Sequence, residues 1–207
     1  MPVREMEFAE DLLKRAAALV SQACATGQPI EADSVEADIL RSAWAFVGAA
    51  IDTYFHERVR RALLEPPLSS AARKYEVTVG DVEDLVEAFL KDREKTRPRV
   101  RLKNAIHKQL LTVTFQGSRN IERAFALIGS PSPWTKVSKE LGETRADAVK
   151  SRLDKQYARR NNIVHEGDFK TQSRPQRVKH AAIEASIVCE EIAWTSEFLR
   201  ATDRVTS

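Results

Sequence analysis

VEADILRSAWAFVGAAIDTYFHERVRRALLE, residues 35–65, decides the fold. Its large apolar residues Trp44, Val47, Ile51 and Phe55 recur at steps of three and four, the spacing that puts side chains on one face of an α-helix. The stretch holds no proline, and Pro66-Pro67 directly behind it cannot continue a helix. Asp33 followed by Glu36 resembles a capping box at its start. Beside the large apolar face runs a second line, Arg41, Ala45, Gly48 and Asp52. Small residues on that line let another helix approach closely. Asp52 is an acid that could accept Arg160 or Arg41, and an ordinary surface or intrahelical carboxylate explains it equally well.

The same period recurs outward in both directions. A first helix is expected from about Arg4 to Thr26, with Leu12, Leu13, Ala16, Leu19 and Val20 on one side and Gly27 as its stop. Residues 68–77 are loop-like. Thr78 caps a short helix over Asp81–Lys91, another follows Pro98 to about Phe115, and Ser118 caps one that ends at Gly129. Ser132 or Pro133 opens a short helix ending near Gly142. A long helix spans Thr144 to about Glu166, stopped by Gly167, and a last one runs from about Gln176 to Ala201. Val77-Thr78-Val79 and Leu111–Phe115 are the most strand-like stretches, but helical patterns flank both, so they are assigned to helix or coil. The expected fold is all-α, a bundle of long antiparallel helices with short helices inserted. It forms one domain over 1–207, in which 1–32 is an N-terminal helical extension.

Composition supports a packed core: 43% of residues are hydrophobic and 30% charged, which excludes a disordered chain. No stretch approaches the roughly 18 consecutive apolar residues of a membrane span, so no membrane partner is expected. Met1–Asp11 carries acids and lacks the apolar run of a secretory signal. A cytoplasmic protein is expected, with Cys24 and Cys189 as buried free thiols in helices. There is no Gly-rich phosphate loop, Cys/His metal spacing, Gly-x-Ser-x-Gly elbow or His-Glu-x-x-His, so neither cofactor nor metal is expected. Net charge is only +3. Its distribution is uneven: Arg93, Lys95, Arg97, Arg99, Arg101, Lys103 and Lys108 crowd one stretch, and Arg145, Lys150, Arg152, Lys155, Arg159 and Arg160 another. Such clusters suit a polyanion, and they suit a solvated helix face as well.

Chemistry is left to the four histidines. In the helix 144–166 the apolar line is Val149, Leu153, Tyr157 and Val164, and Arg160, seven residues after Leu153, falls on it. A guanidinium on an apolar stripe is costly unless it meets an anion, because it cannot shed its charge. Arg159 beside it can point to solvent. His165 stands five residues after Arg160, about 140° around an ideal helix. Gly167 lets the last turn loosen and bring the imidazole toward the arginine. A histidine at a helix C-terminus is favoured as the cation, which suits a proton donor. Asn161, one turn before His165, can hold the imidazole or contact a phosphate; Asn162 fits a helix-ending role as well. Loose Arg–His spacing also occurs at Arg101–His107, Arg174–His180 and Arg159–His165. Only His165 combines an Arg-Asn pair, an apolar approach and a helix end. His56 has no arginine at that spacing.

Arg160-Asn161-Asn162-Ile163-Val164-His165 matches the pattern Arg, four to six residues, His, with Asn after the Arg. Arg41–Trp44 through Ile51–His56, Phe115–Glu122, Pro133-Trp134 and Leu153–Asp168 follow in order. With these blocks the chain resembles the HEPN superfamily, helical domains associated with many prokaryotic defence and toxin systems, and within it the RiboL-PSP branch, over about residues 35–200. The resemblance implies a homodimer in which two motifs face each other across one cleft. It also implies metal-independent endoribonuclease activity, with Arg160 and His165 catalytic, Asn161 assisting, and Asp52, Arg41 and Arg159 as possible support. RNA is the implied substrate, and an antitoxin or defence-system protein a possible partner. HEPN-like modules that only bind RNA or protein are the alternative.

Overall fold

In the computed structural model, which describes residues 4–91, 97–170 and 178–206, the periodic segments are helices. They are α1 (Arg4–Ala23), α2 (Val35–Leu64), α3 (Val79–Leu90), α4 (Pro98–Leu110), α5 (Ser118–Ile128), α6 (Pro133–Glu140), α7 (Ala146–His165) and α8 (Ala185–Thr206). Among the described residues no strand forms; an isolated antiparallel bridge joins Phe169 and His180. The chain is therefore an all-α helical bundle. No helix among the described residues is long and apolar enough to cross a membrane.

α2 is the axis. Ser34, rather than Asp33, caps it: its hydroxyl accepts the Ala37 amide at 3.2 Å, leaving Asp33 free to bind His180. Val47, Ile51, Phe55 and Val59 are buried as the period requires, against Phe125 of α5, Trp134 of α6, Leu153 of α7, and Phe198 and Leu199 of α8. α1 brings Ala9, Leu13, Ala16 and Val20 into the same core, so this helix is a layer of the bundle and not an appendage to it. Glu5 meets Arg61 at 2.9 Å and Arg200 meets Glu10 at 3.1 Å, so α1 is antiparallel to both α2 and α8. α2 and α8 consequently run in the same sense, tied by Tyr54–Asp203 and by Arg58–Thr206.

Three sequence expectations are corrected. α4 stops at Leu110 instead of Phe115, because Asp52 captures the Phe115 amide and the Thr114 hydroxyl and so draws the segment out of the helix. The last helix begins at Ala185 instead of Gln176, a position outside the described residues. Before it the chain runs extended, with Lys170 N–H donating to Lys179 O at 2.8 Å and Ala181 N–H to Asp168 O at 2.8 Å. Cys24 and Cys189 are both exposed: Cys24 lies just past the end of α1, and Cys189 follows the buried Val188 onto the outer face of α8.

Phe55 sits at the centre of the aromatic core, edge-on to Tyr54 at 5.3 Å and to Phe125 at 5.5 Å, and 6.3 Å from Phe198. Phe55→Ala is expected to cost about 3–5 kcal/mol, seen as a lower urea midpoint with an unchanged slope.

Candidate active site

α7 turns one edge toward α2. Its inward line is Val149, Leu153 and Gln156, all buried, continued by half-buried Arg160 and Ile163. Val164 is 45% exposed and lies off that line. The Gln156 amide donates to Thr195 at 2.9 Å, and its carbonyl accepts the Trp44 indole, which pins the middle of α7 between α2 and α8. One turn later the stem of Arg160 crosses α2 at Gly48, where an added Cβ would stand 3.1 Å from Arg160 Cγ. The small-residue line of α2 thus admits an arginine.

Arg160 Nη1 lies 3.1 Å from His165 Nε2 and 3.2 Å from Asn161 Oδ1. The three residues singled out in the sequence are therefore in direct contact. The helix does not loosen to achieve this, since α7 continues through His165; the long arginine side chain closes the angular gap. Among the described residues no carboxylate pairs with Arg160.

Arg41 and Arg159 take a different role. Both clasp Asp168, a residue absent from the sequence-based candidates. Arg41 Nε donates to Asp168 at 2.9 Å and Arg159 pairs with it at 2.6 Å. The carboxylate is 1% exposed and the Arg41 side chain 7%. Arg159, expected to face solvent, is turned inward by this pair. Arg41 also donates to the carbonyls of Ala32 and Ala181, and Arg159 to that of Ala182. The Asp168 amide returns to Asn162 O at 2.9 Å, beside the Glu166 amide at 3.1 Å, so Asn162 ends the helix through its carbonyl. Gly167 and Asp168 both have positive φ, 66° and 56°. A Cβ on Gly167 would come within 2.8 Å of the Phe169 ring, so glycine is needed there. The clasp lies behind the histidine and fixes where α7 ends.

Asp52 accepts neither arginine. Its Oδ1 takes the Phe115 amide at 2.6 Å and the Thr114 hydroxyl at 3.2 Å, and lies 3.5 Å from His56 Nε2. Burial pushes the carboxyl up, but the hydrogen bonds from His56, the Phe115 amide and Thr114 outweigh it and hold the group below the usual carboxylate range. Segment 111–116, held by Asp52, walls a cleft of about 710 Å³. Arg160, Asn161 and His165 line it from α7, His56 and Arg60 from α2, and His107 from α4. Three of the four histidines thus share one cleft. Spacing from arginine does not find His56; the signal that does is its i, i+4 step from Asp52. Gln116 also lines the cleft, and its buried Oε1 has no hydrogen-bond partner among the described residues. His180, the fourth histidine, is bound to Asp33 at 2.6 Å and stacks near Phe169.

The basic stretches divide. In the second, Arg152 pairs with Glu191 over the Trp194 ring, Lys150 sits over Trp134, and Arg159 serves Asp168, so half of those six residues are engaged within the fold. In the first, Arg97, Arg99 and Lys103 are exposed on or beside α4, the helix that brings His107 to the cleft; Arg93 and Lys95 lie outside the described residues. Among the described residues no group of three or more His, Cys, Asp or Glu side chains is placed to hold a metal ion.

Comparison with protein-family models, with curated proteins and with solved structures gives no match.

Asp168→Ala leaves the buried Arg41 guanidinium with only the exposed Asp38 carboxylate, 2.8 Å from Nη1, and removes the acid that Arg159 pairs with. Breaking one partner of a buried ion pair costs about 3–5 kcal/mol, and that loss is expected in urea unfolding at neutral pH.

Proposed function

We propose that the protein is a metal-independent endoribonuclease in which Arg160 and His165 act on the RNA backbone. The observation that carries this reading is the Arg160–His165 contact at 3.1 Å, at the edge of an open cleft, with no carboxylate neutralising the arginine among the described residues. An unneutralised guanidinium is a bidentate phosphate ligand. An imidazole held against it is within reach of a proton on the bound group. RNA brings its own nucleophile, the 2′-hydroxyl beside the scissile phosphate. The enzyme has only to align it, move protons and stabilise charge on the phosphoryl oxygens. Asn161, bonded to Arg160, orients the guanidinium. Exposed Arg97, Arg99 and Lys103, on or beside the helix that carries His107, supply further cations for neighbouring phosphates.

The cleft opens at the surface, and the HEPN-like order of sequence blocks supports a homodimer in which a second Arg160 completes the phosphate clamp. A cytoplasmic toxin or antiviral defence protein, restrained by a partner, is the setting that fits such an activity. A HEPN-like module that binds RNA or protein without cutting is the competing reading.

Incubation of mixed RNA with the protein in excess chelator tests the proposal. Wild type is expected to cleave RNA and leave DNA of the same sequence intact. His165→Ala is expected to lower the rate by about 10²–10⁴-fold, and Arg160→Ala by the equivalent of about 3–4 kcal/mol. RNA bound but uncut by wild type, or equal cutting of DNA, would favour the competing module or another mechanism.

A further inference from the structure

We propose that His56 is the second proton-transfer group of the cleft: it gives its proton to the leaving 5′-oxygen while His165 takes the proton of the 2′-hydroxyl. This rests on the ribonuclease reading above. The division of labour follows from what each imidazole touches. Arginine has donors and no acceptor, so in the contact with Arg160 Nη1 at 3.1 Å the Nε2 of His165 can only be the accepting atom. His165 is arranged as a base, in place of the proton donor that its position at a helix end suggests in the sequence. His56 has the opposite neighbour. Its Nε2 faces Asp52, a largely buried carboxylate that the Phe115 amide and Thr114 hydroxyl fix in place. A carboxylate there accepts from Nε2 and holds the ring orientation, as the orienting acid does in a catalytic triad. Two like groups in environments of opposite sign make an acid–base pair.

The ring of His56 is also fixed mechanically. It packs edge-on against Phe115 at 4.9 Å between centroids, so the ring is held by Asp52 of its own helix and by the segment whose Phe115 amide Asp52 anchors. His107 lines the cleft too, but among the described residues no carboxylate stands beside it. The chemistry balances without a co-reactant. The 2′-oxygen–phosphorus bond forms and the phosphorus–5′-oxygen bond breaks. One proton passes to His165 and one leaves His56, giving a 2′,3′-cyclic phosphate and a 5′-hydroxyl; exchange with solvent restores both rings. Asp52 acts through His56 and is a positioning residue.

The test uses two RNA oligonucleotides of one sequence in chelator, one ordinary and one with sulfur in place of the leaving 5′-oxygen at the cut site. A thiolate leaves without a proton. His56→Ala and His56→Asn are expected to slow cleavage of ordinary RNA by about 10²–10⁴-fold and to cut the sulfur substrate within a few-fold of wild type. Recovery on that substrate also shows that the variants are folded. His165→Ala is expected to be slow on both. The assignment is overturned if the His56 variants cut ordinary RNA at the wild-type rate while His165→Ala does not, or if both remain equally slow on the two substrates. If wild type cuts neither, the ribonuclease reading itself fails and this assignment with it.

Discussion

The buried carboxylate of Asp168 between Arg41 and Arg159 is the interaction on which the rest of the site depends. Neither guanidinium can lose its charge in a protein, and Arg41 is almost wholly out of water. Asp168 serves both, Asp38 adds a second carboxylate to Arg41 at 2.8 Å, and the remaining donors of the two arginines bind carbonyls of Ala32 and of the 181–182 segment. One charge cluster thus joins α2, the end of α7, and the extended run before α8. Such a cluster adds little net stability over a well-packed apolar one; its value is that it fixes one geometry. The geometry it fixes is the turn after His165.

In front of that clasp the cleft is assembled by contrast of charge. Adjacent arginines on α7 have opposite fates: Arg159 is neutralised by Asp168, and Arg160 meets no carboxylate among the described residues. Gly48 provides the room for Arg160. Asp52, on the same line of α2 and one turn beyond, spends its hydrogen-bonding capacity on Phe115 and Thr114 and leaves one approach to His56. Had Asp52 accepted Arg160 instead, the arginine would be half of an ion pair and the proposed phosphate ligand would be lost.

Much of this is legible in the sequence. The step of three and four in α2, the proline pair after it and the glycine stops locate the helices, because helix periodicity is a local property. The contact among Arg160, Asn161 and His165 is legible for the same reason, as all three lie within two turns of one helix. What is not legible depends on distant partners. Which of Arg159 and Arg160 faces inward to an acid is decided by Asp168, reached through two positive-φ residues after the helix. The early end of α4 is decided by Asp52, more than sixty residues upstream in the chain. His56 does not stand out by arginine spacing, because its defining neighbour is a carboxylate on its own helix. The late start of α8 follows from pairing between segments near 169 and 180 that no single-segment pattern reveals.

Attack by the 2′-hydroxyl, with protons moved by side chains of the cleft, is tested most directly by the chemical ends of the fragments. RNA cut by the wild-type protein in chelator and weighed by mass spectrometry should carry 2′,3′-cyclic phosphates, with some 3′-phosphate from their hydrolysis, opposite 5′-hydroxyls. Fragments with 3′-hydroxyl and 5′-phosphate ends would show that water, not the ribose, is the nucleophile, and would contradict the proposed roles of Arg160 and His165.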